Sequence, residues 1–250
     1  GFEPHRLVEL SMNFDVIIGT IYTSMKLVKE VVDANPDIIP AYYVQDYEPL
    51  FSEPGTQEWH EARESYSLVP NTILFAKTNW ICQKVFQEHG VSVSKVSPSL
   101  DHSVYMPNSL AKQNAGLRDK TVISAMIRPK TPRRGAARTM RLLKRAYQEF
   151  GSSLHIELFG CSEDDVLFMQ LDRNFHYVNN GELTRPGVAE VLRRSDIFID
   201  LSDYQAFGRT GLEALSCGCT VLITCWGGAD EYCKGAASRL LCNPVSYTHL

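Results

Sequence analysis

Short β-rich runs alternate with helix-length amphipathic segments along almost the whole chain, and this alternation restricts the fold more than any other feature. "FDVIIGT" (14–20), "AYYVQD" (41–46) and "NTILFAKTN" (71–79) read as strands, and "VSKVSPSLD" (93–101) as a fourth strand-like stretch. "SMKLVKEVVDA" (24–34) sets Met25, Val28, Val31 and Val32 on one side of a helix. "ICQKVFQEHG" closes on a glycine, as helices often do. A polar, turn-rich stretch, "SVYMPNSLAKQNAGLRDK" (103–120), then interrupts the pattern. The alternation restarts with strands "TVISAMI", "LHIELFG", "HYVNNG", "DIFIDLS" and "TVLIT", interleaved with helices "GAARTMRLLKRAYQEF", "RPGVAEVLRRS" and "GLEALSCG". Strands joined through helices run parallel, and parallel sheets bury both faces. The expectation is therefore α/β, with two Rossmann-like domains. The first spans 1–106 and lacks its opening strands, a linker covers 107–119, and the second domain covers 120–244. "PVSYTHL" breaks the pattern in mid-element, so 245–250 read as a non-native tail.

Composition removes several classes. A chain of 250 residues with 44% hydrophobic and 22% charged residues is an ordinary globular composition. A net charge of −4 gives no footing for nucleic acid. No apolar run approaches ~20 residues, so no membrane span is expected, and the first residues carry no signal-peptide pattern. The seven cysteines sit mostly inside apolar phrases, and Cys217-Gly-Cys219 lacks zinc spacing. Reduced thiols packed in a cytoplasmic protein are the expected state.

In open α/β sheets, ligands bind beyond the carboxyl ends of strands. "DLSDYQAFGRTGLEAL" lies at such an end. Gly208 and Gly211 would let backbone approach a ligand, and the helix that follows offers unpaired N–H groups and a dipole suited to phosphate. Glu213, one turn in, would accept hydrogen bonds from vicinal hydroxyls of a ribose or sugar. The competing reading is a plain tight turn with Glu213 in a solvated first turn. "RPKTPRRGAARTMRLLKR" (128–145) has eight basic residues and no acid. Arg128, Lys130, Arg133 and Arg134 lie in the loop after a strand, where arginine forks suit a diphosphate. Arg138, Arg141 and Arg145 share one helical face and read as solvated. Gly227 and Gly228 in "WGGADEY" either line the same crevice or make a turn. The aromatics of "YYVQDYEP" (42–49) serve either as sugar platforms or as core.

These phrases in this order resemble glycosyltransferase family 4, of the GT-B fold, across nearly all of residues 14 to 243. The family has two glutamates eight positions apart around a Phe-Gly step, and "QAFGRTGLE" occupies that place. "IRPKTPRRG", "LFG", "YVNNGEL" and "GGADE" match in the second half, and "SLDHSVYMP" matches the phrase leading into the linker. "YYVQDYEPLF" and "RPKTPRRG" are similar to phrases of a rhamnosyltransferase-like subgroup. The resemblance implies that Glu213 holds ribose hydroxyls and that Arg128 and Arg134 act catalytically by neutralising the diphosphate. It implies that Phe207, Gly208, Arg209, Thr210 and Gly211 face the β-phosphate and sugar, and that Glu182 and Leu183 lie by the base. The first glutamate is Gln205 here, a neutral amide that can still bond sugar hydroxyls.

The chemistry implied is retaining transfer of a sugar, rhamnose in the subgroup, from a nucleoside-diphosphate donor to a glycan or lipid-linked glycan in cell-surface polysaccharide synthesis. Arginines and a helix start stabilise the departing diphosphate, so neither metal nor cofactor is expected, in line with the missing Asp-x-Asp. Location would be cytoplasmic, with a lipid-linked acceptor adding peripheral contact at the inner membrane face. A nucleotide-sugar epimerase of the same fold and a non-catalytic nucleotide-sugar-binding protein are the alternatives. A dinucleotide oxidoreductase is disfavoured, since no Gly-x-Gly-x-x-Gly follows a strand.

Overall fold

Helices between successive strands force parallel pairing, and all eight strand pairs among the described residues are parallel. The computed structural model describes residues 4–117, 119–235 and 237–241. It divides into two units between Pro98 and Ser99.

The first unit contains α1 (Pro4–Ser11), β1 (Val16–Gly19), α2 (Ser24–Ala34), β2 (Ile39–Val44), α3 (Gln57–Glu64), β3 (Ile73–Ala76), α4 (Asn79–His89) and β4 (Ser94–Lys95). Its sheet runs β1-β2-β3-β4. The helix read over 24–34 forms with those bounds, and Met25, Val28 and Val31 enter the core. α4 ends on Gly90, whose left-handed φ of 68° stops the helix. The fourth strand shrinks to two residues, because only Phe75↔Ser94 and Ala76↔Lys95 pair. For "YYVQDYEP" the core reading holds: Tyr42 and Tyr47 are buried and both stack on Tyr66. Glu48 is buried with them and accepts from Tyr22 N at 2.6 Å and Tyr42 Oη at 3.1 Å. Burial pushes that carboxyl up, and its bond to Tyr22 ties down the loop after β1.

The second unit contains α5 (Ala111–Asn114), β5 (Thr121–Met126), α6 (Ala136–Phe150), β6 (Leu154–Phe159), α7 (Val166–Met169), β7 (Val178–Asn179), α8 (Arg185–Arg194), β8 (Ile197–Asp200), α9 (Arg209–Ser216), β9 (Thr220–Thr224) and β10 (Ser238–Leu241). The sequence pattern does not foretell α1, α7 or β10. The last two have four residues each, too few for a periodic signal. The sheet order is β10-β9-β8-β5-β6-β7. From β5 the chain builds outward through β6 and β7, then returns to β8 on the other flank of β5 and builds outward again. The order thus reverses between β5 and β8, where Ile123↔Ile197 and Ala125↔Ile199 align. At such a reversal the flanking loops part and leave a crevice at the carboxyl edge.

The sequence pattern ends the first domain at 106, but Leu100, Val104 and Tyr105 pack into the second unit's core. Their apolar side chains find a buried surface there, which places the division at 98 instead. Arg193 reinforces this through its guanidinium, donating to Val104 O and, at 3.2 Å, to Met106 O. Glu157 inside β6 is buried and is met by Arg194 at 2.6 Å through two bonds, with Asn180 donating at 3.0 Å. A buried carboxylate needs such a partner, and this pair fastens α8 to the sheet. The non-native tail expected at 245–250 lies outside the described residues.

Candidate nucleotide-sugar site

The crevice between β5 and β8 is built by two loops bonded to each other. Asp203 N donates to Arg133 O at 2.7 Å, so the loop after β8 docks on the arginine-rich loop after β5. The Arg133 guanidinium lies 4.9 Å above the Tyr204 ring. Arg138 closes the joint: Nε donates to Leu201 O, Nη2 to Arg133 O at 3.3 Å, and Nη2 pairs with Asp203 Oδ1 at 2.6 Å. Its side chain is only 17% exposed. The solvated reading of Arg138 is corrected: a first-turn arginine of α6 reaches the switch point and binds the carbonyl of the opposite loop.

Gln205 is buried within this joint. Its Nε2 donates to Asp200 Oδ2 at 2.6 Å and to Ser202 Oγ at 3.0 Å. Asp200 Oδ1 accepts from Ser202 N at 2.9 Å and from Ser202 Oγ. Arg134 Nη1 stands 3.8 Å from Asp200 Oδ2, so the second arginine of the expected diphosphate pair is part of the Gln205 network. The backbone of Gln205 is fixed as well: its N–H donates to Trp226 O and its carbonyl accepts from Gly228 N, both at 2.9 Å. The glycines of "WGGADEY" therefore serve this docking. A Cβ on Gly227, whose φ is +114°, would sit 1.8 Å from Gln205 O.

Gly208, with a left-handed φ of 75°, caps the start of α9. No described acceptor takes the backbone N–H of Phe207, Gly208, Arg209 or Thr210. Four consecutive donors beside a left-handed glycine at a helix start form an anion-binding edge. The Tyr232 hydroxyl donates to Gly208 O at 2.6 Å, and its ring meets buried Phe207 edge-on at 5.3 Å. Gly211 differs from expectation. The space beside it is taken by Tyr232 Oη and Ile223 Cδ1, 2.7 and 2.8 Å from an added Cβ, so this glycine serves packing. Tyr232→Phe is expected to lower stability by about 1 kcal/mol, the worth of one hydrogen bond, as read from a urea midpoint.

Glu213 follows one turn on and is buried, against the solvated reading. Burial raises its pKa, while Arg209, the neighbouring Tyr105 hydroxyl and Arg185 act in the opposite direction. Burial also pushes the Tyr105 hydroxyl up to about 12, so it stays a donor. The other candidates gather nearby on the carboxyl edges of β5 and β6. Arg128, Glu182 and Leu183 line one cleft of about 350 Å³ with Lys130, Gly160 and Cys161. Lys130 is held to Asp165 at 3.2 Å, and burial keeps the Cys161 thiol protonated, with a pKa of about 11. Thus Arg128, Glu182 and Leu183 come together, Arg134 and Gln205 come together, and Glu213 sits with Arg209. Sequence reasoning misses Asp200, Ser202, Arg138, Tyr105 and Tyr232. Only Asp200 leaves a signal, as a carboxylate closing an apolar strand at its carboxyl end.

Among the described residues no group of three His, Cys, Asp or Glu is placed to hold a metal ion. No described helix is long and apolar enough to cross a membrane.

Residues 167–250, which include Glu182, Asp200, Gln205 and Glu213 but not the arginine-rich loop after β5, match the family profile described as Glycosyl transferases group 1. No curated protein sequence matches the chain. Among solved structures, Anabaena Alr3699/HepE in complex with UDP and glucose aligns over 96% of this chain and 67% of its own, with TM-score 0.77 and 15% identity. A UDP-forming α,α-trehalose-phosphate synthase from Burkholderia xenovorans aligns over 97% and 66%, with TM-score 0.71 and 12% identity. The pneumococcal O-GlcNAc transferase GtfA in complex with UDP and GlcNAc aligns over 98% and 49%, with TM-score 0.71 and 15% identity. The chain thus spans between about half and two thirds of these structures. The fold is of the GT-B type, and the family match with these neighbours supports a glycosyltransferase.

Proposed function

We propose that the chain binds a nucleoside-diphosphate sugar in its second unit and transfers the sugar, with retained configuration, to a glycan or lipid-linked glycan acceptor. One observation carries this reading. The four unclaimed N–H groups of residues 207–210 sit at the start of the helix that bears buried Glu213. The donors suit the diphosphate, and a carboxylate one turn further on suits the ribose hydroxyls. Arg128 and Arg134 flank the diphosphate, Glu182 and Leu183 lie by the base, and Gln205 meets the sugar. One neighbour of the same fold was solved with UDP and glucose and again with UDP-glucose, and another with UDP and GlcNAc, which supports a donor of that class.

As the glycosidic bond breaks, negative charge grows on the β-phosphate oxygen. Fixed N–H dipoles and guanidinium groups stabilise that charge more in the transition state than in the bound donor. The step as proposed uses these groups in place of a metal. The subgroup resemblance points to rhamnose as the sugar and to polysaccharide synthesis as the setting, with a cytoplasmic site that touches the membrane face where the acceptor is lipid-linked.

The test is incubation with UDP-, dTDP-, GDP- and ADP-sugars and a set of glycan acceptors, followed by assay of both products. The transferase reading predicts a nucleoside diphosphate released in step with a lengthened glycan. Recovery of an epimerised nucleotide sugar would establish the epimerase instead. Binding without any turnover would favour the non-catalytic alternative.

A further inference from the structure

We infer that Asp200 is a positioning residue that fixes the amide of Gln205 in one orientation and requires position 205 to be uncharged. This rests on the donor-site reading for what Gln205 faces, but the arrangement itself is visible without a ligand.

Asp200 ends β8, at the strand edge beside the sheet reversal. As a carboxylate it can only accept hydrogen bonds. Its Oδ2 takes Gln205 Nε2 at 2.6 Å, and its Oδ1 takes both the N–H and the hydroxyl of Ser202. The Ser202 hydroxyl proton is thereby directed at Asp200, which leaves Ser202 Oγ as an acceptor for the same Gln205 Nε2 at 3.0 Å. Both neighbours of the Gln205 amide thus demand its nitrogen. A flipped amide would set Oε1 against the Asp200 carboxylate, so the orientation follows from chemistry. Gln205 Oε1 receives no hydrogen bond from any described residue. It is the atom left to accept from a ligand.

Two consequences follow. The sugar position meeting Oε1 must carry a donor, a hydroxyl or an N–H, and a carboxylate there would be turned away. The family's glutamate would also be harmful at 205, because it would set a second carboxylate at hydrogen-bond distance from Asp200. Among the described residues, Arg134 Nη1, 3.8 Å away on the loop after β5, and the Tyr232 hydroxyl, on the segment after β9, face Asp200. A guanidinium at 3.8 Å offsets only part of the repulsion between two carboxylates at hydrogen-bond distance.

The experiment compares wild type, Gln205→Glu, Asp200→Asn and the double variant by thermal unfolding at pH 5 and pH 8, and by calorimetric titration with UDP and UDP-glucose. Gln205→Glu is expected to unfold at a lower temperature than wild type at pH 8. At pH 5 the gap narrows, because one carboxyl of the pair takes up a proton. In the double variant the new amide donates to the new carboxylate, so the pH 8 deficit disappears. UDP-glucose binding falls about tenfold in Gln205→Glu, the worth of one neutral hydrogen bond, because the carboxylate is pushed off Asp200 and out of the position Oε1 holds. It recovers in the double variant, while UDP affinity moves less than about twofold. If Gln205→Glu does not fold at pH 8, a folded double variant at that pH demonstrates the rescue, and an unfolded one overturns the inference. The inference is also overturned if Gln205→Glu unfolds like wild type at both pH values, or if Asp200→Asn gives no rescue. If the unfolding pattern appears but wild type binds neither ligand, the Asp200 role stands and the donor-site reading falls.

Discussion

Gly227→Ala is expected to lower the unfolding midpoint of the second unit by roughly 6–12 °C, the equivalent of about 3 kcal/mol for a protein of this size. Two independent faults add. The φ of +114° lies where a Cβ is strained, and the Cβ would stand 1.8 Å from Gln205 O, inside any tolerated contact. The obstructing atom is backbone and cannot swing aside. The segment after β9 must therefore lift away, breaking Gln205 N to Trp226 O and Gly228 N to Gln205 O. Gly235→Ala is the matched control. Nothing lies within 4 Å of its added Cβ and its φ is not left-handed, so its midpoint should stay within about 0.5 kcal/mol of wild type. Equal midpoints for the two variants would contradict the docking of these loops.

Glu213→Gln is expected to separate stability from binding. Burial raises the Glu213 carboxyl above its unfolded value, so the folded state holds this proton more tightly than the unfolded chain does. Stability then falls as pH rises from the unfolded pKa through the folded one, and the cost of the buried charge is fully present above the folded pKa. Removing the charge should therefore leave the ligand-free protein at least as stable as wild type at pH 8. That advantage shrinks as pH drops through the carboxyl's range. The same change replaces a two-oxygen acceptor with an amide able to accept through one atom only. Losing one charge-assisted bond to a ribose hydroxyl, worth about 1.5–3 kcal/mol, weakens nucleoside-diphosphate affinity by roughly 10- to 100-fold. A variant both destabilised at pH 8 and unchanged in affinity would remove Glu213 from the site. The expected combination is the pattern of a residue kept for function at a cost in stability.

Local patterns make much of the fold legible. Met25, Val28 and Val31 recur at helical spacing, and α2 forms where that spacing runs. Alternating strands and helices foretell parallel sheets, and glycine-bearing strand ends locate the loops at the reversal between β5 and β8. What escapes depends on contacts distant along the chain. Arg138 looks like one of three surface arginines until β8 brings Leu201 O beside it. Tyr105 sits in a phrase with every mark of a linker, and only the folded unit reveals its hydroxyl beside Glu213. Gly211 shows the reverse case. A glycine near a ligand-binding phrase invites a functional role, while its space is filled by Tyr232 and Ile223. Sequence identifies the strand ends that matter, and side chains arriving from elsewhere decide what each residue there does.

The most direct measurement is thermal unfolding of wild type with dTDP, UDP, GDP, ADP and NAD, each in large excess. One nucleoside diphosphate at ~100 times its dissociation constant should stabilise the protein by about 2.7 kcal/mol, a rise of roughly 5–10 °C, and the rise should be largely lost in Glu213→Gln. A cooperative unfolding transition that none of the five ligands moves would contradict the nucleotide site.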